Sequence, residues 1–254
     1  MISSAITAGG GTVAATVDHA AEAKAVGVTL PANTVVIGGS PGAQAPLLRV
    51  NQRAGTNVPE RYLVREGTGG VATITYNSAD YVAAVSGVAD AIASTVLATE
   101  ITAAATTGAG VRSTPLPAPL LGVTPDGFLL VVAGETTVPS TVARLRANAD
   151  RASKVVAVID LAAATPAPTI RPTTQVLLST PAAEAPLIAA APSFGLEMPM
   201  RYLVWVDDKQ ITQVGYTDVR LLAARHGLPV TDPNVVRLAA DADRLVKIVT
   251  GTAA

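Results

Sequence analysis

Residues 199–206 read Pro-Met-Arg-Tyr-Leu-Val-Trp-Val, and residues 59–64 read Pro-Glu-Arg-Tyr-Leu-Val. The likeness runs outward from both. Pro41–Gly87 aligns with Pro181–Gly227 at a constant offset of 140, without a gap, and 15 of the 47 paired positions are identical. Agreement over that length marks an internal duplication. The expected organisation is a first repeat at 1–107, a Pro/Gly linker at 108–125 and a second, complete repeat at 126–254. Gly108, Gly110, Pro115, Pro117, Pro119 and Pro125 give the middle stretch its linker composition.

The second repeat alternates short apolar runs with helical patterns. Gly127–Glu135, Lys154–Asp160, Thr174–Ser179, Met200–Val206 and Gln210–Tyr216 read as strands, the last two joined by an Asp207-Asp208-Lys209 turn. Ser140, Pro181 and Asp232-Pro233 read as helix starts. In the first repeat Thr12–Val17, Asn33–Ile37, Arg61–Arg65 and Val71–Tyr76 are the matching strands, followed by a helix from about Ser78 to Ala105. Adjacent strands between helices favour an α+β fold with a largely antiparallel sheet backed by helices. Only about ten residues precede Thr12, with Ile2–Ala8 in the place of the last turns of a first helix. The first repeat is therefore expected to lack its first strand and most of its first helix. Either the start is placed late or the repeat is genuinely shorter. An open sheet edge and an apolar face of that kind need cover, from the other repeat as a pseudo-dimer or from a second chain as a homodimer.

Composition narrows the function classes. Hydrophobic residues make up 49% of the chain but aromatics only 3%, so the core is built from Val, Leu, Ile and Ala. The net charge is −1, with no basic stripe of the kind that neutralises phosphates, which argues against nucleic acid as a partner. No run reaches the roughly 18–20 apolar residues of a membrane span, and Met1–Val17 lacks a signal peptide's charged region. A cytoplasmic location without a membrane partner is the default expectation. There is no Cys, which removes disulfides and thiolate sites, and with only two His no metal or cofactor is expected.

The order of residues resembles the family known as domain of unknown function 302. Asp18-His19, Gly39-Ser40-Pro41, Val58-Pro59, Arg61 and Tyr76 carry the resemblance in the first copy. Asp160, Pro181, Met198-Pro199, Arg201, Trp205, Tyr216 and Arg225-His226-Gly227 carry it in the second. The resemblance implies a fold similar to the TATA-binding-protein-like class and no established activity. Each copy keeps one of two family histidines: Leu161 stands opposite His19, and Ser86 opposite His226.

Individual motifs are weak when weighed singly. Gly38-Gly39-Ser40-Pro41-Gly42 satisfies Gly-x-Ser-x-Gly between a strand and a helix. A nucleophile elbow there would need the N–H of the residue after Ser, and Pro41 has none. Asp18-His19 reads as a capping Asp with a solvent-facing His, or as a functional pair. His226, before Gly227, suits a helix C-terminus. Arg201 shares a strand face with Leu203 and Trp205, as a cation–π partner, a ligand contact, or a stem covering apolar surface. Tyr76 and Tyr216 read as core residues with a hydroxyl at the rim.

The expectation is a non-enzymatic tandem-repeat protein binding a small ligand or a protein partner. His19, Arg61, Arg201, Trp205, Tyr216 and His226 would line a cleft between the repeats. The alternative is an enzyme using His19 or His226 as general acid or base at that cleft.

Overall fold

A computed structural model describes residues 1–106, 112–115, 124–149 and 153–252. The first repeat runs α1 (Ile2–Ala8), β1 (Thr12–Asp18), α2 (His19–Ala25), β2 (Asn33–Gly39), α3 (Pro41–Val50), β3 (Arg61–Glu66), β4 (Ala72–Tyr76), α4 (Ala79–Ser86), α5 (Ala91–Thr106) and β5 (Arg112–Pro115). The second runs α6 (Pro125–Phe128), β6 (Leu129–Gly134), α7 (Val138–Asn148), β7 (Lys154–Asp160), α8 (Leu161–Ala164), β8 (Thr173–Ser179), α9 (Pro181–Ala190), β9 (Met200–Val206), β10 (Thr212–Thr217), α10 (Val219–Arg225) and α11 (Pro233–Thr250). Equivalent 3₁₀ turns, Gln52–Thr56 and Pro192–Leu196, precede β3 and β9.

Each repeat is α+β, with one sheet. The second sheet has the order β6-β10-β9-β8-β7 and is antiparallel throughout. The first has the order β1-β2-β3-β4-β5, antiparallel across β1 to β4. Its fifth strand pairs with β4 in parallel, Thr73 opposite Arg112 and Tyr76 opposite Pro115. β5 thus occupies the edge that β6 takes in the second sheet, and it comes from the stretch whose Pro and Gly content reads as linker. Of the rest of that linker, 108–111 and 116–123 lie outside the described residues.

Strand alternation sends each sheet's two faces to different partners. Val36, Tyr62 and Ile74 pack under helices, with Ile2, Ile6 and Leu97 among the buried cover. Val35, Ile37 and Leu63 point the other way and meet Leu177 and Leu196 of the second repeat, so the two sheets stack face to face, with β1 against β7. Strands buried on both faces explain the consecutive apolar residues Val35-Val36-Ile37 of β2 and Val176-Leu177-Leu178 of β8. At about 1.5–3 kcal/mol per fully buried aliphatic side chain, the seam contributes substantially to stability.

Three local readings change. The helix expected to start at Ser140 starts at Val138, capped by Thr137. The helix expected over 78–105 is two helices, because Gly87 takes a left-handed conformation (φ 67°) and ends α4. Asp18 does cap α2, accepting from the Ala21 N–H, but His19 begins that helix and is buried rather than facing solvent. Among the described residues, no helix is long and apolar enough to cross a membrane.

Candidate functional site

Arg61 and Arg201 occupy equivalent positions in β3 and β9 and point into the seam. Arg201 donates to the Thr56 carbonyl (3.2 Å) and Arg61 to that of Leu196 (3.3 Å), its counterpart 140 residues on. Each repeat thus clasps the other's 3₁₀ turn. Arg61 also donates to the Pro199 carbonyl (3.0 Å). Burial, then the neighbouring Arg201 charge, pull the Arg61 pKa well down. Such carbonyl contacts are what make two buried guanidiniums tolerable.

The Arg201 side chain also binds Glu197 (2.6 Å) and Asn57 Oδ1 (3.2 Å). Glu197 is fully buried and takes Arg225 at 2.7 Å and His226 Nε2 at 3.2 Å. Burial alone would raise its pKa. The His226 hydrogen bond, with Arg225 and Arg201, outweighs that and holds the carboxyl well below the usual range. His226 Nδ1 lies 2.9 Å from Ser193 Oγ, and its ring meets Phe194 edge-on. The cation–π contact that forms is Arg225 over Tyr81, at 3.6 Å, whereas Arg201 is spent on Glu197, Thr56 and Asn57.

His19 enters the seam from the opposite repeat. Its Nε2 lies 2.9 Å from the Gly195 carbonyl, and burial lowers its pKa to about 4. A Cβ on Gly195 would fall 2.5 Å from Asn33 Oδ1 and 3.1 Å from His19, so this approach requires glycine. Gly55 does the same for Leu161 and Leu203. The two histidines thus contact one turn, Pro192–Leu196, through different residues. Both are buried and bonded to protein, so they do not line an open cleft as the sequence suggests.

Tyr216 stands apart. It pairs in register with Tyr202 on the helix-covered face, ring centroids 6.1 Å apart, away from Arg201. Burial raises its hydroxyl to about 12. Trp205 does face the seam, where it borders a cleft of about 340 Å³ with Arg49, Gln52, Arg171 and Gln213. Those groups are engaged: Arg171 donates to Gln52 Oε1, and Arg49 to the Pro166 and Pro168 carbonyls.

A different polar centre lies in the first repeat. Glu60 is 3% exposed, with Oε2 held by Gln44 (2.8 Å) and Oε1 without a partner. Burial, then the Glu100 charge, raise its pKa to about 8. Glu100 accepts the Ser40 N–H through Oε1, while its Oε2 and the Tyr62 hydroxyl are likewise buried without partners. Glu100 and Ser40 line a pocket of about 490 Å³ with Ala5, Ile6, Val96 and Ala103. The Gly-x-Ser-x-Gly segment therefore ends as a helix start: Pro41 opens α3 and the Ser40 N–H is taken by a carboxylate.

The profile of the family described as "Domain of unknown function DUF302" matches residues 1–106 and 131–248. The chain belongs to the DUF302 family. The two matched regions and the two sheets together make it a DUF302 tandem duplication. Among solved structures, it is similar to an uncharacterised conserved DUF302 protein from Bacillus stearothermophilus. That match has 16% identity and a TM-score of 0.39, and it covers 49% of this chain and 96% of that one. No curated protein matches the chain.

In this DUF302 protein several polar residues at the sites escape sequence reading. Glu60 and Glu197 sit beside the repeated motif, but their alignment partners are Met200 and Asn57, so the duplication gives no hint of them. Glu22 and Glu184 lie far apart in sequence, yet their carboxylate oxygens and a His19 ring nitrogen fall within 4.8 Å of one another. This is a set that could hold a metal ion.

Proposed function

We propose that this DUF302 protein is a non-catalytic binding protein whose ligand is a small apolar amine, held in the first-repeat pocket beneath α5. The observation that carries the reading is a group of partnerless buried oxygens: Glu100 Oε2, whose side chain is on the pocket wall, and Glu60 Oε1 and the Tyr62 hydroxyl, which lie beyond the lining. Their groups act electrostatically on one another, and buried polar groups without partners point to a missing one. An ammonium head beside Glu100 supplies donors and the positive charge that buried Glu60 and half-buried Glu100 lack. Alanine, Ile6 and Val96 on the walls suit an alkyl body, and about 490 Å³ is an ordinary size for a small-molecule pocket.

The binding reading is preferred to the enzyme alternative because both His226 ring nitrogens contact protein and His19 is buried against Gly195. A general acid or base must reach its substrate's proton. Calorimetric titration with hexylamine and hexanol tests the proposal. Hexylamine should bind at least tenfold more tightly than hexanol. Its affinity should rise from pH 7 to 9 as Glu60, with a pKa of about 8, ionises while the amine keeps its charge. Glu100→Gln should weaken amine binding alone. Equal binding of the two, or binding of neither, overturns the proposal.

A further inference from the structure

We propose that His19, Glu22 and Glu184 form a site for one first-row divalent cation that bridges the two repeats. His19 and Glu22 are separated by three positions on α2, which puts them on one helix face. Glu184 comes from α9 of the other repeat. Their ligating atoms lie within 4.8 Å of one another. Around a four-coordinate ion with bonds of about 2.0–2.2 Å, ligand atoms sit roughly 3–3.6 Å apart. Half-buried Glu22 is the least enclosed of the three.

The surroundings supply independent support. Ser179 Oγ lies 2.9 Å from Glu22 Oε2 and 3.0 Å from Glu184 Oε2. One hydroxyl has one proton to donate. The second contact therefore requires a proton on a carboxyl or a cation shared between the two. Glu184 Oε1 is already fixed by the Thr180 N–H (2.8 Å), so Oε2 is the oxygen directed at Glu22 and Ser179. Arg61 also bears electrostatically on Glu184, but its guanidinium hydrogen bonds go to the Leu196 and Pro199 carbonyls.

His19 is suited to ligation. A carbonyl can only accept, so the contact with Gly195 makes Nε2 the protonated nitrogen and leaves the lone pair on Nδ1. Outer hydrogen bonds of this kind orient metal-bound histidines. Burial also keeps the ring neutral at pH 7, its pKa being lowered to about 4. One imidazole with two carboxylates and no thiolate suits Zn²⁺, Mn²⁺ or Fe²⁺ with water completing the shell.

The pseudo-equivalent place cannot do the same. Leu161 stands for His19 and Gln44 for Glu184, so one ion per chain is expected.

Zinc chloride is the probe, added to protein dialysed against a chelator. Titration calorimetry should give one ion per chain, and an excess of about 100-fold over Kd should raise Tm by roughly 5 °C. Glu22→Gln, a change at a half-buried position, should weaken binding at least tenfold, and His19→Leu should abolish it. Glu100→Gln should leave zinc binding intact, which separates this site from the amine pocket. Absence of stoichiometric binding, or binding indifferent to both Glu22→Gln and His19→Leu, overturns the site. Equal stabilisation by Mg²⁺ overturns the first-row assignment.

Discussion

The two repeats share strand order, 3₁₀ turns and the Arg-Tyr-Leu-Val strand, yet they place their buried acids at different positions and balance them differently. In the second, Glu197 is surrounded by Arg201, Arg225 and His226, and its charge is fully compensated. In the first, buried Glu60 and half-buried Glu100 act on each other as like charges, with Gln44 donating to the one and the Ser40 N–H to the other. The second repeat meets the same need at the start of α9 with Glu184 on the Thr180 N–H, and puts Met200 where Glu60 stands. A duplicated fold thus tolerates one carboxylate that holds it together and another that burdens it. Groups that burden a fold are where function is to be sought.

The sharpest way to break this comparison is to remove the compensated acid. Glu197→Ala leaves Arg201, Arg225 and His226 facing an empty site and should cost about 3–5 kcal/mol at pH 7. Asn57→Ala, at the equivalent position, should cost about 1 kcal/mol. The Glu197 pKa is lowered on folding, so its contribution is complete above the ordinary value of 4.5. The contribution declines as pH falls toward the folded value. Urea melts at pH 7 and pH 3 should show the gap between wild type and Glu197→Ala narrowing in acid. An equal cost for the two alanine variants would remove the asymmetry.

The burdened acid should behave in the reverse sense. Glu60→Met installs the second repeat's residue. The Glu60 pKa rises from 4.5 to about 8 on folding, so the native state keeps a proton that the unfolded chain releases. Wild-type stability is therefore eroded as pH rises through that window. The variant frees Gln44 of its acceptor, a partial offset. A net gain of about 1–2 kcal/mol at pH 9, shrinking to near zero at pH 5, is expected from urea melts. A loss at both pH values would mean that Glu60 is compensated after all.

How far the sequence carries this contrast depends on range. The duplication, the antiparallel strands and the opposite facing of Arg and Tyr follow from local pattern, because side-chain period is local. The parallel β5 does not: four residues, Arg112–Pro115, in a Pro-rich stretch have no periodicity to read. The α4–α5 break was available in Gly87, but the apolar pattern continues past it. His19 was singled out for its residue type, though its burial depends on Gly195, 176 positions away. Glu22, Glu60 and Glu184 give no signal of their own, since an acid on a helix or before a strand reads as solvated surface. Only the stacking of the two sheets makes Glu184 costly and brings it to Glu22.

The smallest expected effect is at the position where the repeats differ by one side chain, His19 against Leu161. In metal-free buffer at pH 7, His19→Leu removes the hydrogen bond to the Gly195 carbonyl, worth about 0.5–1.5 kcal/mol. It replaces a neutral imidazole by an aliphatic chain of the kind that packs over Gly55 in the other half. The two terms oppose, so the change should stay within about 1 kcal/mol. The pH dependence is the sharper readout. The His19 pKa falls from 6.5 to about 4 on folding. Between those values the unfolded chain takes up a proton that the native state refuses, and wild-type stability falls as pH drops. The leucine variant has no such proton to bind, so its stability relative to wild type should improve steadily from pH 6.5 to pH 4. Parallel curves for the two proteins over that range would mean that His19 titrates alike in both states, and that the seam admits water or charge at the point where Gly195 closes on it.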